Sequence, residues 1–154
     1  MVVTRILWWL CYIALALILQ QQMPGLDFLA PGFLLALQMK SKKEIFWLFL
    51  IFTLIQEGTG SLTFGTGMLW YGGQILFFYL SAHLFVADNI LFVTILSLSI
   101  GAYRICLLLL MGAIQNIQME YSMLLNEALF QAFLTPVVWG IAYLFRPQAM
   151  RHGY

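Results

Sequence analysis

Six apolar runs, residues 6–19, 26–39, 45–55, 62–86, 89–114 and 123–145, fill most of this chain, and only short polar connections separate them. The basic side chains stand at the ends of these runs. Arg5 lies at the start of the first, Lys40, Lys42 and Lys43 lie between the second and third, and Arg146 and Arg151 follow the sixth; Arg104 alone falls inside a run. With 63% hydrophobic and 8% charged residues and a mean hydropathy of +0.93, the chain is unlike a soluble domain, in which roughly a quarter of residues are charged. The pattern reads as an all-α integral membrane protein, a polytopic helix bundle forming one domain over residues 1–154.

Charge sets the expected orientation, because cytoplasmic ends retain Lys and Arg. With the N-terminus inside, six spans place Arg5, Lys40, Lys42, Lys43, Arg146 and Arg151 on the cytoplasmic side. The connections around Pro24, Gly60 and Gln118 then carry no Lys or Arg. Five spans would put either Arg5 or the C-terminal arginines outside. The first run is read as a retained span rather than a cleaved signal, since bulky Gln20, Gln21 and Gln22 follow it instead of a small-x-small site. The short second and third runs are the weak points of the scheme, the second above all. Its 14 residues would rise about 21 Å as a helix, against a hydrocarbon core of about 30 Å. It is expected to be short, tilted or partly irregular, and a re-entrant hairpin of the second and third runs is the alternative.

Residues 56–73, QEGTGSLTFGTGMLWYGG, place an acid and six glycines between two hydrophobic runs. Gly58, Gly60, Gly65 and Gly67 suit a tight turn, because glycine tolerates positive φ. Such a turn would present Glu57 at a membrane-embedded site. The competing reading is a plain turn followed by a helix whose glycines admit a close neighbour. On the sixth run Ala128, Ala132, Pro136 and Gly140 recur every fourth residue and so share one helix face. Ser97 and Gly101 repeat that pattern on the fifth run. Small residues let membrane helices approach closely, and Pro136 removes a helical hydrogen bond, so a bend is expected there.

Catalytic chemistry is sparse. No GxSxG, HExxH or phosphate-binding loop is present, Cys11 and Cys106 read as small hydrophobes, and His83 and His152 have no histidine partner at ligand spacing. No cofactor and no metal are expected, and the scattered basic residues form no nucleic-acid patch. Glu57, Arg104, Glu127 and Gln131 remain as intramembrane polar residues, which normally face a bundle interior and find partners there. Counting depth from the 115–121 connection puts Arg104 about 15 Å and Glu127 about 9 Å below it. An Arg104 to Glu127 ion pair, or a shared polar cluster including Gln131, is expected, with Glu57 as the rival partner. A structural ion pair and a binding role both stay open.

Several of these features recur together in a known family. A first span ends in Gln20 to Pro24, and Pro31 precedes Phe33, Leu34 and Leu35. The acid Glu57 is followed by Gly58, Thr59, Gly60, Ser61, Leu62, Thr63, Phe64 and Gly65. The last span carries Pro136 in mid-helix and closes with basic residues. In this order of features the chain resembles the rod-shape-determining MreD family of the bacterial inner membrane. The resemblance implies a six-helix bundle related to the substrate-binding components of energy-coupling-factor transporters. It further implies a non-enzymatic scaffold in the lipid bilayer, partner to an MreC-like protein and to cell-wall synthases. Glu57 stands where that family usually has aspartate, and Arg104 lies in the fifth span; both departures leave room for a relative with another job, and the related fold with the polar residues in the outer half of the bundle makes a small-molecule-binding transport component the alternative. Self-association is left open by the sequence.

Overall fold

A computed structural model of the chain describes residues 2–59, 65–84, 89–116 and 120–147. Among these the chain forms six helices: α1 (Val2–Gln22), α2 (Leu29–Gln38), α3 (Lys42–Gly58), α4 (Thr66–Ala82), α5 (Ile90–Gln115) and α6 (Tyr121–Leu144). Three of them, α1, α5 and α6, are long and apolar enough to cross a membrane. With 17 residues each, α3 and α4 rise about 26 Å.

The run expected to be a short or irregular span is the core of the bundle. Its ten residues rise only about 15 Å, and Leu29, Phe33, Leu34, Leu35, Ala36 and Leu37 are sealed from the outside. A helix that is apolar on every face is stable only when other helices surround it, and α1, α3, α4 and α6 all pack on α2. Pro31 sits in its first turn, where a backbone N–H has no helical partner to lose. Gly32 gives α1 its seat: a Cβ there would come 2.2 Å from the Tyr12 ring, whose hydroxyl donates to the Phe28 carbonyl at 2.7 Å.

Polar contacts gather alternate helix ends together. At one end the Arg5 guanidinium pairs with Glu44 at 3.1 Å, Trp8 Nε1 donates to the Phe145 carbonyl at 3.1 Å, and Trp139 Nε1 donates to Gln38 Oε1 at 2.7 Å. These contacts join the start of α1, the end of α2, the start of α3 and the end of α6. The basic residues of the 40–43 turn therefore lie at the same end as Arg5 and Arg146. Arg151 and Gly60 fall outside the described residues.

The expected small-residue face is present over half its length. A Cβ on Gly101 of α5 would meet the Ala128 carbonyl oxygen and the Ala132 Cβ, both at 3.1 Å, so the two small-residue patterns meet there. Gly140 has nothing within 4 Å of a built Cβ. It belongs to the same stripe by spacing, yet it faces open space. Pro136 lies inside α6.

Candidate functional site

The end of the bundle opposite Arg5 holds a buried polar cluster, and its centre is Asp27, a residue hidden in the sequence inside an apolar run. Asp27 is 3% exposed. Its Oδ1 accepts from the backbone N–H groups of Leu29 at 2.8 Å and Ala30 at 3.3 Å, capping α2. Its Oδ2 accepts from Trp70 Nε1 at 2.7 Å and from the Tyr71 hydroxyl at 3.0 Å, both on α4. Two helix-terminal amides and two aromatic donors thus replace the water that a buried carboxylate would otherwise require.

Neighbouring helices extend the cluster. Gln131 of α6 accepts from the Asp27 backbone N–H through Oε1 at 2.8 Å and donates to the Asp27 carbonyl through Nε2 at 2.9 Å. On α3, Gln56 donates to the Tyr71 hydroxyl at 3.5 Å and accepts from Gln20 of α1 at 3.0 Å. Hydrogen bonds thus join α1, α2, α3, α4 and α6 in one network that includes the loop between α1 and α2.

Arg104 comes from α5 and is 7% exposed. Its Nη2 donates to the Gly25 carbonyl, its guanidinium lies 5.2 Å from the Trp70 ring centroid, and its Nε has no partner. Trp70 in turn stacks on Tyr103, with ring centroids 6.0 Å apart and planes 1° from parallel. One indole thereby offers its N–H to an anion and its face to a cation, as its charge distribution favours.

The expected Arg104 to Glu127 ion pair is not made: among the described residues the one such pair is Arg5 with Glu44. Both residues instead press on the same turn. Gly25 holds φ of +93°, and a Cβ there would fall 2.6 Å from Glu127 Oε1, so this position requires glycine twice over. The 23–28 loop gives Arg104 a carbonyl to bind in place of the carboxylate, and the Glu127 carboxylate lies against the same Gly25. What forms is the shared cluster, with Gln131 on Asp27.

Glu57, the rival partner, stays out of this cluster. Its Oε1 accepts from the Gly65 N–H at 3.0 Å, and its Cγ would be 3.3 Å from a Cβ on Gly67. Gly65 has φ of +87° and precedes the first turn of α4. Glu57 thus ties the end of α3 to the start of α4. Gly58 closes α3 with nothing near a built Cβ.

A cavity of about 150 Å³ lies within the cluster, lined by Gln20, Gly25, Asp27, Gln56, Arg104 and Glu127. Glu127 also lines a second, outer cleft of about 350 Å³, together with Gln22, Asn126 and Phe130. No group of three His, Cys, Asp or Glu able to hold a metal occurs among the described residues.

Sequence reasoning named Arg104, Glu127 and Gln131 but missed Asp27, Gln20, Trp70 and Tyr71. One signal was available for Asp27: an Asp just before an apolar helical segment is a helix-start signature. The aromatic donors carried no local signal, since they are brought to Asp27 only by the packing of α4 on α2. No family model, characterised protein or solved structure matches this chain.

Proposed function

We propose that this chain is a non-enzymatic, six-span scaffold of the bacterial inner membrane, with both termini cytoplasmic, that serves the cell-elongation machinery beside an MreC-like protein and the cell-wall synthases. One observation supports it most: hydrogen bonds of buried polar groups tie α1, α2, α3, α4 and α6 together around the 23–28 loop, while the long helices present apolar side chains outward. Leu10, Leu15, Leu98, Leu110, Phe130 and Phe133 are all exposed, and such surfaces need lipid or partner helices to cover them. A bundle cross-tied in this way is a rigid body that can hold partners in register. The resemblance to the MreD family supplies the identity of those partners.

Purification in mild detergent from a rod-shaped bacterial host tests the reading. An MreC-like protein and wall synthases are expected to co-purify with the tagged chain in near-stoichiometric yield; their absence across several mild detergents would sink it. A second reading, a small-molecule-binding membrane component of an energy-coupling-factor type transporter, is favoured by the charged cavity beside Asp27. A bound metabolite released on denaturing the purified protein would support that reading instead.

A further inference from the structure

Three charged side chains, Asp27, Arg104 and Glu127, line the cavity. Asp27 is accounted for, since its carboxylate accepts four hydrogen bonds, two of them from the positive N-terminus of α2. Arg104 and Glu127 line the same cavity without forming an ion pair; the Arg104 guanidinium is buried and gives one donor to the Gly25 carbonyl, while Glu127 is half-buried.

The unpartnered atoms describe what would bridge them. Arg104 Nε is a buried donor without an acceptor, and Gln20 Oε1 is a buried acceptor without a donor. The Glu127 carboxylate adds further acceptors, on a different helix from Arg104. One side of the cavity therefore asks for an anion or acceptor and the other for a cation or donor. The volume, about 150 Å³, limits the occupant to a small molecule. Leu26 and Glu127 line both this cavity and the outer cleft, so the two are neighbours at this end of the bundle.

We propose that this cavity binds a small zwitterion of amino-acid type, its carboxylate on Arg104 and its ammonium between Glu127 and the Gln20 amide oxygen. The assignment rests on the small-molecule-binding reading and specifies its ligand. A simple cation would leave the Arg104 donor unmet and add repulsion beside a guanidinium. A simple anion would leave Glu127 uncompensated and face its charge. A zwitterion satisfies both and adds no net charge.

The test uses the full chain in detergent, with glycine, alanine and serine as probes and acetate and methylammonium as the separate halves of the molecule. At least one of the three amino acids is expected to raise the melting temperature by several degrees, as selective binding to the folded state requires, and to appear as a bound mass in native mass spectrometry. Acetate and methylammonium at equal concentration are expected to do neither. Glu127→Gln, at a half-buried position, is expected to keep the unliganded melting temperature and weaken binding at least about tenfold; Gln20→Leu gives an independent second variant with the same expected direction. Methylammonium binding as well as the amino acids, or binding unchanged in both variants, would overturn the assignment. A co-purifying ligand that is not zwitterionic would overturn it while leaving the small-molecule reading standing. No shift and no bound mass with any probe or metabolite would remove both.

Discussion

Gln131 holds Asp27 by its main chain rather than by its charge: the amide of one takes the backbone N–H and carbonyl of the other at 2.8 and 2.9 Å, 104 residues apart in sequence. The Asp27 side chain is thereby freed to cap α2 and to receive Trp70 and Tyr71. The same residue is gripped from α6 on its backbone and from α4 on its carboxylate. Asp27→Ala removes the acceptor of four buried donors and is expected to cost about 3 kcal/mol or more. Gln131→Leu strands a backbone donor and acceptor and is expected to cost about 1–3 kcal/mol. In thermal melts of the detergent-purified protein, both should fall by several degrees. The double variant should fall by less than the sum, since both act on one connected network. Additive losses would show that the two grips are independent.

The small-residue face of α6 makes a prediction that separates its two ends. Gly101 lies against Ala128 and Ala132, with a built Cβ at 3.1 Å from each of two atoms, whereas Gly140 has nothing within 4 Å. Gly101→Leu should force α5 from α6 and lower the melting temperature sharply. Gly140→Leu should leave it nearly unchanged. Equal effects would mean that the spacing pattern, and not the contact, determines stability.

Gln74 is fully buried on α4, and neither its amide nitrogen nor its amide oxygen has a partner. Burying such a group unpaired costs about 1–3 kcal/mol. Gln74→Leu is therefore expected to raise the melting temperature of the isolated protein. A lowered one would reveal a partner for the amide, such as an internal water.

Membrane orientation is tested by fusion. The turn carrying Lys40, Lys42 and Lys43 lies at the same end of the bundle as Arg5, through the Arg5 to Glu44 pair. Reporters placed after Lys43 and after Arg151 should read as cytoplasmic, and one inserted near Gln118 as external. An external reading after Arg151 would end the six-span scheme.

By itself the sequence determined the helical class, the positions of the apolar runs and the grouping of basic residues at their ends. These follow from local composition: long apolar segments must satisfy their own backbone hydrogen bonds, and in helices they do so within each segment. Arg104, Glu127 and Gln131 were legible as interior groups for the same reason, since a polar residue inside an apolar run is conspicuous. Tertiary structure decided their partners. Whether Arg104 closes on Glu127 or binds the Gly25 carbonyl depends on a loop that meets both residues only after folding. That α2 is the buried centre and not another outer span depends on four helices packing around it. Asp27 gains its importance from Trp70, Tyr71 and Gln131, which lie 43, 44 and 104 residues away along the chain; no local pattern encodes contacts at that separation.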